Sequence, residues 1–362
     1  MTPTTTTRTV KLSTNAVNGL LRGAGIVAAF ALSALVLVII GASPADAFRL
    51  IVSGSGIAPW SPDKLAYVLT AWAPVLLCSA GVLLTFSAGL WNIGIEGQVV
   101  LGAICATGML RALQGSVPPA LALVLAALTG MLGGGLWAIL AGVLKLYGNV
   151  NEIFGGLGLN FIASSLTVYL VLGPWKRPGI GSTSGTQPFA PSLWLPSLAK
   201  GFNVSLPEIL LGVLAMIAVY LALRGTFFGL RLKAIGKNMR SAFISGVPTG
   251  RYFLLAFAFC GALAGLAGWV LIVGTSARHN LFPLVSSGYG FLAILVALLA
   301  NLDAIWSIPI SFFFAAIAMG SLQLSIQRQL DSSLGGVIQG LLVLAILITQ
   351  GLQSRLFGRR KV

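Results

Sequence analysis

Long apolar runs alternate with short polar or glycine-rich connections along almost the whole chain. A helix that crosses the hydrocarbon core of a bilayer needs about 20 mostly apolar residues. The apolar runs are continuous and lack the alternation of apolar and polar residues that marks membrane strands. The pattern predicts an all-α polytopic membrane protein with about ten transmembrane helices, at about 24–41, 65–85, 93–112, 119–144, 152–172, 207–223, 252–273, 289–302, 305–325 and 334–352.

Lysine and arginine predict the orientation of these spans, because basic residues collect on the cytoplasmic side. They are concentrated in the N-terminal tail 1–23, in the loop 224–251 and in the C-terminal tail 353–362. With ten spans, all three segments fall on the same side of the membrane. We therefore expect both termini and the loop to be cytoplasmic. Residues 24–352 would form the permease domain, with the Pro-, Gly- and Ser-rich loop 173–206 on the outer face.

The N-terminus also has the outline of a signal peptide. Basic residues precede the first apolar run, and Ala45-Asp46-Ala47 resembles a cleavage site. The run has about 17 residues, however, and an apolar signal region has about 7–15. We expect an uncleaved first helix, with a cleaved signal peptide as the alternative.

Composition limits the class of protein. The chain has 362 residues, of which 57% are hydrophobic and 8% charged, whereas about a quarter are charged in soluble domains. The net charge of +15 lies between apolar runs rather than along one face, so we expect no nucleic-acid binding. A single histidine and three isolated cysteines supply no metal site, and no nucleotide-binding or catalytic motif is present. We expect neither cofactor nor catalysis.

A polar cluster interrupts the second and third apolar runs. The segment GLWNIGIEGQ, residues 89–98, places Asn92, Glu96 and Gln98 among glycines. Irregular backbone at membrane depth persists only where protein buries it or where it lines a cavity. Glu96 would lie in the first turn of the third span, where a helix N-terminus favours negative charge. These side chains either cap and fix the break, or line a transport pathway.

A second polar cluster, YGNVNEIFGGLGLN, joins spans four and five. Helix capping and close packing explain it, and a movable inner gate is the alternative. Its candidate residues are Asn149, Asn151, Glu152 and Asn160.

Glycines and a weak internal similarity add two further expectations. G-x-x-x-G pairs at Gly130/Gly134, Gly261/Gly265 and Gly336/Gly340 predict seams between helices of this chain.

Segments 89–108 and 286–305 resemble each other weakly. An inverted repeat of spans two to five and seven to ten would produce such a similarity.

The loop 224–251 alternates apolar and basic residues at near-helical spacing. A loop that only fixes topology needs few charges, so we predict a short amphipathic helix that docks on a partner protein. Leu230, Leu232 and Ile235 would anchor it. Basic residues would lie at the rim of the contact, where charge affects association more than affinity.

Four segments together resemble a known family. GLWNIGIEGQ, NEIFGGLGLNFIA, GLRLKAIGKN followed by SGV, and GFLAILVALLANL resemble, in that order, the membrane subunits of bacterial ABC importers. The resemblance is to the branched-chain amino acid and simple-sugar permease superfamily, in particular its nucleoside permease branch, and it covers about residues 25–355. It implies a cobalamin-permease-like (type II ABC importer) fold, paired as a dimer around a central pathway.

The resemblance also implies roles for particular segments. The connection 147–158 corresponds to the cytoplasmic gate region, and 229–247 corresponds to the coupling helix that sits on an ATPase subunit. The implied ATPase-coupling residues are Gly229, Leu230, Arg231, Leu232, Lys233, Ala234, Ile235, Gly236, Lys237 and Asn238.

The function implied by the resemblance is inward transport of a nucleoside or related sugar-like solute by a permease subunit without ATPase activity. The implied partners are ABC ATPase subunits, a periplasmic or lipid-anchored substrate-binding protein, and a second permease, identical or homologous, in the bacterial plasma membrane. EIFGGLGLN replaces a Thr- and Met-richer run of that branch, which leaves the solute open. The alternative is an ion-coupled secondary transporter with Glu96 and Glu152 as coupling carboxylates, which would need no docking helix.

Overall fold

The ten predicted apolar runs all coincide with helices. The computed structural model describes residues 14–179, 184–199, 202–275, 277–331 and 333–357. The side chains of both predicted tails, 1–23 and 353–362, lie outside this description. The described α-helices are α1 (Thr14–Ile39), α2 (Pro44–Gly54), α3 (Pro62–Ser87), α4 (Ile95–Leu113), α5 (Pro119–Leu146), α6 (Glu152–Leu172), α7 (Leu206–Gly225), α8 (Phe227–Lys237), α9 (Met239–Ile244), α10 (Thr249–Val273), α11 (Tyr289–Leu299), α12 (Ala304–Arg328) and α13 (Leu334–Phe357).

Helix length separates full spans from partial ones. Among the described residues six helices, α3, α5, α6, α7, α10 and α12, are each long and apolar enough to cross a bilayer, and α1 with α2, bent by 111°, adds a seventh if the pair is counted as one broken span. The run at 289–302 gives only the 11-residue helix α11. At 1.5 Å per residue this helix is about 16 Å long, half the thickness of a hydrocarbon core. The chain is a multi-pass membrane protein, and its eighth predicted span is a half-helix.

Two helices form the centre of the bundle. Nearly every residue of α3 from Ala71 to Phe86 is buried, as expected of a helix that is apolar all round. It packs against α7, α10, α11 and α12, while α10 packs against α4 and α5. The two central helices therefore have corresponding neighbours, an arrangement consistent with an inverted repeat.

Glycines bring α5 and α10 together. A Cβ atom on Gly265 would overlap the Gly130 carbonyl group, and one on Gly134 would lie 2.7 Å from Gly265 Cα. Two of the three predicted glycine pairs thus pack against each other, as close helix contact in lipid requires. The third prediction is wrong, because a Cβ at Gly336 or Gly340 would meet no atom within 4 Å.

The bundle has two chemically different ends. One, the α8 end, carries α8 and α9. At the other, the far end, the described part of the loop 173–206 packs on the connection between α10 and α11. Its backbone contacts include Thr186 N to Leu281 O at 2.8 Å, and Trp194 stacks on His279 with ring centroids 3.8 Å apart. Burial under this loop lowers the pKa of His279 from its ordinary value.

The glycine seam predicts a strong position effect within α10. Gly265→Ala should lower the free energy of unfolding by about 1–3 kcal/mol, because the added methyl group forces two backbones apart. Gly250→Ala is the matched control, since its Cβ would enter open space in the same helix. Thermal unfolding of the detergent-purified variants measures the difference. Equal melting temperatures for the two would contradict the seam.

Candidate functional site

The segment between α3 and α4 re-enters the bundle. Gly89, with a φ of +73°, turns the chain at the α8 end, where its Cβ would lie 3.2 Å from Gly236 Cα. Three residues later, Asn92 Nδ2 lies 3.1 Å from Cys260 Sγ. Cys260 is eleven residues beyond Thr249, the start of α10, and therefore about 16 Å along that helix. Residues 89–94 consequently turn back toward the interior, and α4 begins at depth.

Buried amides satisfy the polar groups of this break. Asn92 and Gln98 exchange two hydrogen bonds, Nδ2 to Oε1 at 3.1 Å and Nε2 to Oδ1 at 2.9 Å. Asn160 of α6 accepts from Gly97 N at 2.8 Å and donates to Ile93 O at 3.0 Å. An unpaired backbone group in the hydrocarbon core costs several kcal/mol. Asn160 therefore pairs backbone groups of an irregular segment that lipid alone would not tolerate, and the buried amides of Asn92 and Gln98 satisfy each other.

Glu96 caps a different helix from the one that contains it. The sequence points to the N-terminus of α4, but the buried carboxylate accepts from three backbone N–H groups at the start of α11. The distances are 3.0 Å from Gly288 N to Oε1, and 2.9 Å and 3.3 Å from Gly290 N and Phe291 N to Oε2. Such charge-assisted bonds at a helix N-terminus are favourable. The two segments that resemble each other in sequence meet at this carboxylate.

The second polar cluster is divided between the break and the surface. Gly156 packs on the re-entrant segment, where its Cβ would lie 2.6 Å from Gly94 N. The exposed Asn151 caps α6 by accepting from Ile153 N at 2.9 Å, and Glu152 pairs with Lys145 at 2.7 Å. Asn149 adopts a left-handed conformation with φ of +51°. The structure thus brings Asn160 to Asn92 and Gln98, and it leaves the other three outside that network.

The loop 224–251 contains α8 and α9, so a helix is present where the sequence predicts one. The side chains expected to contact a partner protein are oriented differently from the prediction, however. Leu232 and Ile235 are buried in this chain, and only Leu230 of the three expected anchors is exposed, at 63%. Phe227, Phe243 and Ile244 are also exposed. We call these four exposed residues, Phe227, Leu230, Phe243 and Ile244, the α8 patch.

Sequence reasoning missed two groups at the far end. Glu208, in the first turn of α7, is 1% exposed, and its Oε1 accepts from Thr275 N at 2.6 Å. The loop 286–288 supplies a N–H group to Glu96. An acid inside an apolar run was a visible signal for Glu208. No local signal marks the loop, because its partner is distant in sequence.

The three bonds of Glu96 generate a graded prediction. Glu96→Gln should lower the free energy of unfolding by about 1–3 kcal/mol, because an amide NH₂ replaces one acceptor and faces backbone N–H groups. Glu96→Leu should lower it further, since all three donors lose their partner. Glu152→Gln, which breaks a partly exposed ion pair, is the control and should change stability by no more than about 1 kcal/mol. Thermal unfolding of purified protein gives the order, and wild-type stability in Glu96→Leu would refute the capping role.

Comparisons with known proteins show the family to which the chain belongs. The sequence profile of the family described as "Branched-chain amino acid transport system / permease component" matches residues 64–347. The glucose ABC transporter permease protein TsgB13 of Haloferax volcanii is 30% identical over 334 residues, which cover 90% of this chain and 86% of that protein. The guanosine ABC transporter permease protein NupP of Bacillus subtilis is 27% identical, with 86% and 91% covered. NupQ, a guanosine ABC transporter permease protein of the same organism, is 24% identical, with 70% and 78% covered.

Among solved structures, PsaBC from Streptococcus pneumoniae in complex with Fab aligns with a TM-score of 0.46 and 16% sequence identity, over 82% of this chain and 93% of that chain. The family match extends over most of the membrane domain, from α3 to α13. The chain belongs to the family of permease components of branched-chain amino acid transport systems.

Proposed function

We propose that this chain is the membrane-spanning permease subunit of an ABC importer for a nucleoside or related sugar-like solute, with ATP hydrolysed by a separate subunit. Family membership and the guanosine and glucose permeases among its relatives support this assignment. The observation that carries it is the contact between α8 and the re-entrant break. Gly236 of α8 packs directly on the backbone of residues 87–89.

The α8 patch fits a docking site for an ATPase subunit. Phe227 and Leu230 are 80% and 63% exposed, and Ile244 is 76% exposed. The same segment carries the exposed basic residues Lys233, Lys237 and Arg240. This charge favours a position outside the hydrocarbon core, within reach of a partner protein. An exposed apolar patch with a polar rim is typical of a protein interface.

The inner face of α8 fits transmission of movement into the bundle. Leu232 and Ile235 anchor the helix in the permease, and Gly236 touches the turn at Gly89. From that turn the re-entrant segment leads to Glu96 and through it to α11. A second contact joins the end of α7 to the start of α12. Arg224 Nη2 lies 3.5 Å from Oδ2 of Asp303, the residue before α12. A displacement of α8 would therefore move packed backbone rather than a free loop.

The remaining assignments follow from this docking surface. The α8 end and both termini face the cytoplasm, where ATP is available, and the far end receives a periplasmic or lipid-anchored substrate-binding protein. NupP and NupQ are both guanosine permeases of one organism, which supports pairing with a second permease of the same family. The residues 229–238 form the coupling segment, and the connection 147–158 forms the cytoplasmic gate.

The two carboxylates of the alternative function are already engaged. Glu96 accepts from three backbone N–H groups, and Glu152 pairs with Lys145. A coupling carboxylate of a secondary transporter must release and rebind an ion, and these contacts oppose that cycle.

An uptake experiment in proteoliposomes separates the two functions. We expect uptake to require ATP and the ATPase subunit and to continue in the presence of an uncoupler.

Leu230 provides a sharp test of docking. Leu230→Glu should reduce co-purification of the ATPase subunit about tenfold or more, because it places a charge at the centre of an apolar contact. Leu284→Glu is the matched control, since Leu284 is 80% exposed at the far end. Leu232→Glu should instead prevent folding, because that side chain is buried.

The measurement is a pull-down of the ATPase subunit with the detergent-solubilised permease for both variants, and ATP hydrolysis with loaded binding protein is compared only between the wild type and Leu230→Glu. Normal association in Leu230→Glu would show that the α8 patch is not the docking surface. Equal loss in Leu284→Glu would show that the effect is not specific to the α8 end.

A further inference from the structure

A cavity of about 770 Å³ opens at the far end of the bundle. Helices α3, α10, α11, α12 and α13 enclose it, together with the start of α7 and the connection before α11. Small-molecule sites commonly have volumes of about 300–1,000 Å³. One wall is the segment from Ser287 to Tyr289, whose N–H group at Gly288 is held from behind by Glu96. The cavity is thus built against the capped end of the half-helix, and its described lining includes no residue of 89–94 or of α8.

Four aromatic residues contribute to the lining. Tyr67, Phe282, Tyr289 and Phe291 line the cavity from three directions, since they come from α3, the far-end connection and α11. Flat aromatic faces stack on the bases of nucleosides. Only one acid and one base, Glu208 and Arg278, occur among the lining residues of the described chain. Arg278 is thus a lone basic group in this lining, without the cluster of cations that favours a phosphorylated solute.

Tyr289 adds an unfilled hydrogen-bonding group. Its side chain is 8% exposed and lines the cavity, and its hydroxyl makes no hydrogen bond within the part of the chain that the structure describes. A tyrosine hydroxyl can both donate and accept a hydrogen bond. Glu208 contributes similarly, because Thr275 occupies Oε1, while Oε2 accepts nothing from the described residues. A solute with hydroxyl groups would satisfy both.

We propose that this cavity binds a nucleoside on its way through the permease, in preference to a free hexose or a nucleotide. The base stacks on the aromatic lining, and Tyr289 and Glu208 bond to polar groups of the solute. The proposal rests on the transport function proposed above and assigns a solute and a place to it. It also assigns a role to Gly336 at the start of α13. This glycine forms no seam with another helix but lines the cavity.

Gly336 allows the cavity to be filled without disturbing the bundle. It lines the cavity, and a Cβ there meets no atom within 4 Å. Gly340 lies one turn further along the same helix, also in open space, but does not line the cavity. Gly336→Trp and Gly340→Trp are therefore a matched pair that differ in whether the indole enters the cavity.

The experiment uses the complete complex in proteoliposomes with radiolabelled guanosine. Gly336→Trp should reduce ATP-driven uptake about tenfold or more, whereas Gly340→Trp should transport like the wild type. Thermal unfolding of each variant checks its folding. Equal uptake by both variants would overturn the proposed cavity, while uptake by the wild-type complex would leave the transport function intact. Absence of guanosine uptake by the wild-type complex would overturn the transport function itself for this solute.

A second measurement tests the contacts without relying on a bulky substitution. Equilibrium binding of guanosine to the purified permease should weaken about 3- to 10-fold in Tyr289→Phe, the range expected for one lost hydrogen bond. Guanosine 5′-monophosphate and glucose should not displace the bound guanosine at equal concentration. Unchanged affinity in Tyr289→Phe would refute the role of the phenol, and displacement by glucose would refute selection of nucleosides.

Discussion

The need to pair every backbone polar group at membrane depth governs this structure. Between α3 and α4 the chain leaves helical geometry inside the bundle, where neither water nor lipid supplies hydrogen bonds. Asn160 supplies them instead, to Gly97 N and Ile93 O, while Asn92 and Gln98 satisfy each other beside it. Glu96 does the same for the first N–H groups of α11. Four polar side chains in an apolar chain therefore make two broken helices stable.

This constraint also joins parts of the molecule that are distant in sequence. Glu96 fixes the start of α11 and with it the wall of the far-end cavity. The same re-entrant segment begins at Gly89, which rests on Gly236 of α8. Helix α8 and the cavity wall are thus connected through one irregular segment. The hydrogen bonds of this segment are costly to break in lipid, which supports the transmission of movement proposed above.

Close packing supplies what the hydrophobic effect cannot supply between helices in lipid. Gly130, Gly134 and Gly265 let α5 and α10 touch through their backbones. The identical motif at Gly336 and Gly340 finds no partner in this chain. A G-x-x-x-G pair therefore indicates a smooth helix surface, and the neighbouring helices decide whether that surface becomes a seam.

The sequence by itself determined the elements, because the bilayer imposes a length and a composition on any segment that crosses it. All ten apolar runs became helices, the basic loop contains α8, and the polar residues of 89–98 mark the break. Tertiary structure alone decided their partners. Glu96 bonds to residues nearly 200 positions away, Leu232 and Ile235 turn inward while Leu230 turns outward, and the cavity draws on six helices. Hydropathy reports how apolar a residue is, but in a membrane both lipid and protein accept an apolar face. Only the packed bundle shows which apolar residues face lipid and which face protein.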